Sequence, residues 1–136
     1  RAAIYADHED AAGAAALRTL DDEQLMENSR LLGEIILAEL AAFEDDYPFV
    51  GQVRGRGLFL AIELVSDKRT KQPLSSNVTR LLYDACVQRG LLSMAYTPRV
   101  RLQPALTIDE ATAKNGIAIL REVFELAKNE RWCDAP

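Results

Sequence analysis

In the stretch TPRVRLQPALTID, residues 97–109, two arginines stand two positions apart. A β-strand alternates its faces with a period of two. An extended segment here puts Arg99, Arg101 and Gln103 on one face and Val100 and Leu102 on the other. A guanidinium offers a planar fork of donors that grips a carboxylate through two parallel hydrogen bonds, and it stays charged at any working pH. A strand holds such a fork steadier than a loop does. The pair therefore has two readings: a solvated surface, the commoner use of exposed arginine, or a clamp for an anion.

Other chemistry-bearing residues are sparse. The single histidine, His8, lies in the acidic run ADHED, a possible metal patch whose position near the chain start also suits solvated charge. No serine or cysteine has a neighbouring histidine to act as its base, so a hydrolytic nucleophile is poorly supported. The RGRG run at 54–57 lacks the GK[ST] ending of a phosphate loop and leads into a strand rather than a helix, so its glycines read as a bulge or a tight hairpin. Lys68, Lys71, Lys114 and Lys128 fall in a polar loop or on helix surfaces, without the desolvated pocket a Schiff-base lysine needs. Glu63 shares a strand face with Phe59, Ala61 and Val65 and reads as half-buried. No residue is assigned to catalysis, to a metal or to a cofactor.

The elements that must position the arginines follow from periodicity. Residues 11–20, AAGAAALRTL, favour a helix. Asp21 or Asp22 then offers a cap for a second one, with Gln24 completing a capping box from Asp21. Leu25, Ser29, Leu32, Ile36, Leu40 and Phe43 recur at steps of three and four, one helical stripe that stops near EDDYP. Strict alternation from Leu58 to Val65 predicts a strand, preceded by a short one around 52–54. DKRTKQPLSS reads as a polar loop, and Ser75 or Ser76 caps a helix carrying Val78, Leu81, Leu82, Ala85 and Cys86 and closed by Gly90. LLSMAY and RVRLQPAL predict two more short strands. Thr107 and Glu110 then form the capping box of a long final helix with Leu120, Val123, Phe124 and Ala127 inward. The predicted fold class is α+β: a small antiparallel or mixed sheet of three to four strands with helices packed on one side.

At 136 residues with 49% hydrophobic content, the chain suits one folded domain. Its net charge of −5 argues against a nucleic-acid partner. No apolar run approaches a bilayer span and no signal peptide opens the sequence, so no membrane partner is expected. Cys86 and Cys133 share no metal- or redox-type spacing and read as reduced thiols of a cytoplasmic protein. The chain starts without Met, as a piece of something longer would.

VGQVRGRGLFLAIELV, followed at a distance by RVRLQPALTIDE, resembles the C-terminal small domain of class III pyridoxal-phosphate-dependent aminotransferases of fold type I. The family's strings look like V-G-D-V-R-G-x-G-L-M-x-G-I-E-L-V and x-x-R-x-x-P-P-L-x-I. AAALRTLDDEQLMENSRLLGEIILAEL resembles the family's A-A-A-L-A-x-L and the long helix after it. The resemblance runs from about Ala14 to Leu126 in matching order and spacing. It implies that residues 1–20 are the remnant of a link to a large domain and that 21–136 form the small domain. It also implies that Arg101, matching the arginine of x-x-R-x-x-P-P-L, binds the substrate's carboxylate, whereas Arg99 has no counterpart and keeps its surface reading.

What else the resemblance implies concerns the complete enzyme. Pyridoxal 5'-phosphate would be held mainly by a preceding large domain, which would also supply the catalytic lysine. The enzyme would move an amino group between an amine or amino acid and a 2-oxo acid, as a cytoplasmic homodimer. The alternatives are a sibling aminomutase or decarboxylase, or a non-catalytic carboxylate-binding α+β module. In two places the sequence departs from the family pattern. YADHEDAAG stands where the family has a T-[YF]-x-G-[NH]-P stretch, with Tyr5 at the threonine position, so no cofactor contact is assigned there. Ala105 replaces the second proline of P-P-L, which keeps the small size and frees the backbone.

Overall fold

Along the central strand, Leu60, Ile62 and Leu64 are buried while Phe59, Ala61 and Glu63 between them are not. That contrast divides the molecule into a covered and an open side. The computed structural model describes residues 2–93 and 97–134, with the side chains of 11–93 and 97–133. The order is α1 (Ala2–Asp22), α2 (Leu25–Ala41), α3 (Phe43–Asp46), β1 (Val50–Arg56), β2 (Phe59–Asp67), β3 (Gln72–Pro73), α4 (Ser76–Gln88), β4 (Arg99–Leu102) and α5 (Glu110–Asn129), closed by a 3-10 turn at Trp132–Asp134.

All strand pairing among the described residues is antiparallel, with β2 between β1 and β4 and also touching β3. The core joins the inward row of β2, Val100 of β4, Leu32, Ile36 and Leu40 of α2, Val78 and Leu82 of α4, and Leu120, Val123 and Phe124 of α5. Each large aliphatic side chain buried there contributes roughly 1.5–3 kcal/mol of transfer free energy. Phe43, Tyr47, Phe49 and Phe124 pack as a ring cluster with centroids 5.1–5.7 Å apart. The predicted α+β sheet with helices on one side is the observed fold.

The RGRG glycines serve a tight hairpin. Arg56 pairs with Phe59 across a two-residue turn, and Gly57 takes φ +53. Helix α2 lies against this turn. A Cβ on Gly33 would stand 2.3 Å from the Gly57 carbonyl oxygen, and Ser29 Oγ accepts the Leu58 N–H at 3.1 Å. The register irregularity in the pair falls further back, between Val50 and Gln52.

Several local expectations are corrected. The first helix continues to Asp22, so Asp21 and Asp22 close α1 instead of capping α2. The residue before α2 is Gln24, at φ 50 with no side-chain cap bond, so the expected capping box does not form. Leu25 is only half-buried at the start of its stripe, and Leu81 on α4 is 49% exposed. The polar loop contains the two-residue β3. Residues 91–93 of LLSMAY are not a strand, because the chain leaving α4 is spent on closing it: Gly90 takes φ +87, its N–H reaches Val87 O and the Leu91 N–H reaches Cys86 O. The rest of that predicted strand, 94–96, lies outside the described residues. At α5 the cap is Asp109, not Thr107. The Asp109 carboxylate accepts the Thr112 N–H and hydroxyl, each at 2.8 Å, and these bonds hold its carboxyl below the usual range. Ser75 caps α4 as expected.

Candidate functional site

The open side of the sheet is built by register. Opposed residues of antiparallel strands share a face, so each β2 residue names its neighbours. Ala61 pairs with Arg54 on β1 and with Arg101 on β4. Glu63 pairs with Gln52 and with Arg99, and Phe59 pairs with Arg56 next to the hairpin turn. Val100, 5% exposed in the core, fixes the alternation of β4 and turns both of its arginines outward.

In the rows pairing β1, β2 and β4, this face carries Arg54, Arg56, Arg99 and Arg101 with Glu63 as the carboxylate among them, in a chain whose formal net charge is −5. Such a bias comes from strand register, not from composition, and it makes the face attractive to anions. Among the described residues neither Arg99 nor Arg101 forms a side-chain hydrogen bond or ion pair, while Arg54 donates to the Gln52 amide oxygen at 2.9 Å. The arginines elsewhere are mostly engaged. Arg30 binds Glu27 and Glu34, Arg80 binds Asp84, and Arg121 binds Asp46. Beside Arg101, the end of β4, the segment after α4 and the first turns of α5 enclose a cleft of about 240 Å³, lined by Leu91, Leu102, Pro104, Ile108 and Gly116. Asn28 of α2 holds the connection that leaves β4, donating to Leu106 O at 2.6 Å and Ile108 O at 3.2 Å.

The other sequence-selected residues are not gathered at this face. Lys114 pairs with Glu110 at 2.6 Å, Lys128 donates to Asp46 O at 2.9 Å, Lys68 donates to Glu44 O, and Lys71 sits exposed in its loop. None stands in an apolar pocket, so these lysines do not fit covalent attachment to an aldehyde cofactor. Buried Cys86 is on α4, where burial pushes its thiol up to about 11, against a partial offset from Arg89. His8 and Tyr5 fall on α1, with side chains outside the described residues. No group of three or more metal-ligating side chains occurs among the described residues, and no helix among them is long and apolar enough to cross a membrane. Arg54 and the cleft were not singled out from the sequence. Counting back from the hairpin turn would have placed Arg54 beside Ala61, but only with the turn position known.

The chain is similar in sequence and in fold to known proteins. Residues 9–124 match the family described as aminotransferase class-III. The chain is 31% identical over 117 residues to the mitochondrial alanine–glyoxylate aminotransferase 2 of Pongo abelii, covering 84% of this chain and 23% of that protein. It is 36% identical over 116 residues to the uncharacterized aminotransferase YhxA of Bacillus subtilis, covering 80% and 26%. Against the taurine–pyruvate aminotransferase of Rhodobacter capsulatus the identity is 35% over 108 residues, covering 74% and 24%. A PLP-bound amine transaminase from an uncultivated Pseudomonas species superposes with a TM-score of 0.80 at 33% identity, over 85% of this chain and 26% of that one. The chain thus spans about a quarter of the length of the relatives it matches. On the match across residues 9–124, it belongs to the class III aminotransferase family.

Proposed function

We propose that this chain forms the small domain of a transaminase and supplies its substrate-acid clamp, with Arg101 as the binding residue. The observation that carries the reading is the register of β4: Arg101 stands on the uncovered face, opposite Ala61, with no acid paired to it among the described residues. A fork held on a strand at that place receives an anion without first breaking an internal ion pair.

In the complete enzyme, an amino group passes between an amine or amino acid and a 2-oxo acid. Pyridoxal 5'-phosphate serves as the electron sink for that exchange. The lysines described here do not fit its attachment, so the cofactor falls to the remaining three-quarters of the enzyme, a large domain that docks on the open sheet face. Residues 21–136 are the small domain and residues 1–20 the link to the large one. The assembly is a cytoplasmic homodimer. Within this chain, the work is orientation. Arg101 holds the acid group, Val100 and the core keep its strand in place, and Asn28 fixes the connection beyond it.

The test is the complete enzyme, assayed for ping-pong exchange with an acid-bearing donor and with an acid-free amine. Arg101→Gln is expected to lower kcat/KM for the acid-bearing donor selectively. An equal loss on both donors would remove Arg101 from substrate binding.

A further inference from the structure

We propose that Arg54 is a second binding residue for the acid group received by Arg101, and that the group is seated over the methyl of Ala61. The inference rests on the reading of Arg101 given above. Ala61 is the register partner of both arginines, one on each neighbouring strand. Two inter-strand spacings place their Cα atoms about 10 Å apart, and strand side chains stand roughly perpendicular to the sheet. The two forks therefore rise on either side of the smallest side chain on β2's outward row, with space between them at floor level. A carboxylate carries acceptor sites for about four hydrogen bonds, enough for one fork on each side.

The other arginines of the face do not make such a seat. Arg99 has Glu63 opposite, so a carboxylate is already resident there. Arg56 has Phe59 opposite, whose ring, 58% exposed, fills the space. Only the row through Ala61 combines two cations, no acid and no bulk. Arg54 is at present bonded to Gln52 Oε1 at 2.9 Å. That acceptor is a neutral amide, weaker than a charged oxygen, so an arriving anion outcompetes it. The ligand class is an amine or oxo compound bearing a single oxyacid head, carboxylate or sulfonate.

The test uses the complete, cofactor-loaded enzyme and the ratio of kcat/KM for an ω-amino acid to that for an acid-free amine of equal length. Arg54→Gln is expected to lower this ratio about ten- to hundredfold. Arg54→Lys, which keeps the charge and loses the fork, is expected to recover part of it. Ala61→Val, which suits a strand while filling the seat, is expected to lower the ratio as well. A ratio that falls in Arg101→Gln but stays within about twofold in Arg54→Gln would overturn this inference alone. Equal losses on both donors in Arg54→Gln would also overturn it, marking a structural role. A ratio unmoved by Arg101→Gln would instead overturn the reading of Arg101 on which it depends.

Discussion

Glu63 stands directly opposite Arg99 in the antiparallel pairing of β2 with β4, one row along from Ala61, which stands opposite Arg101. Two arginines of the same strand and the same face thereby differ in what they confront. Arg99 faces a carboxylate of its own sheet, Glu63, at register distance and without a formed ion pair among the described residues. Arg101 faces a methyl group and has no acid paired to it among the described residues.

This difference predicts unequal mutants. In the complete enzyme, Arg101→Ala is expected to raise KM for acid-bearing substrates about ten- to hundredfold, the worth of about 1.5–3 kcal/mol for a charge-assisted pair. Arg99→Ala is expected to change it by less than about fivefold, as loss of a surface charge one row away from the acid group does. Steady-state kinetics of the two variants side by side decides the matter. A larger effect from Arg99 would reverse the assignment.

The lysines give a second prediction. Lys68, Lys114 and Lys128 are each bonded to a carbonyl or carboxylate oxygen, and Lys71 is exposed. None stands in the apolar pocket that a Schiff-base lysine needs. The 136-residue chain mixed with pyridoxal phosphate and borohydride should therefore show no stoichiometric adduct by mass spectrometry. A single lysine modified to completion would contradict this.

Gly33 gives a third. A Cβ there would meet the Gly57 backbone at 2.3–2.6 Å, and backbone cannot rotate away as a side-chain tip can. Overpacking of this kind costs about 1–3 kcal/mol, against a helix-propensity gain of about 1 kcal/mol for Gly→Ala. With a backbone clash at both ends, the steric term wins. Gly33→Ala should lower the urea midpoint, and an unchanged or raised midpoint would mean that α2 does not rest on the hairpin.

Cys86 gives a fourth, with its sign set by linkage. Burial raises the folded thiol to about 11 from an ordinary value near 9. As pH climbs between these values the unfolded chain loses its proton first, so stability is full below 9 and declines toward 11. The slope is at most about 1.4 kcal/mol per pH unit. Urea midpoints at pH 8 and pH 10.5 should fall further for the native chain than for Cys86→Ala. At pH 8 the buried thiol should also resist alkylation until the chain unfolds.

Much of the architecture was legible because burial periodicity is local. Leu32, Ile36 and Leu40 announce one helix face, and Leu60, Ile62 and Leu64 one strand face, wherever the partner elements lie. Caps were less legible, since several polar residues compete at each helix start. Asp109 displaced Thr107 because its carboxylate takes both Thr112 donors, and Gln24 took a left-handed backbone where a capping box was expected. The predicted strand after α4 failed at 91–93, where hydrogen bonds back to Val87 and Cys86 close the helix.

The chain's own residues determined the α+β class, the inward rows and the outward side of Arg99 and Arg101, because alternation and helical period are properties of consecutive residues. Which arginine faces a carboxylate and which a methyl, and that Arg54 shares the row of Arg101, was decided only by strand register. Register joins residues distant in sequence through a turn at Gly57 and a pairing of β2 with β4, and a slip of one position would exchange every neighbour.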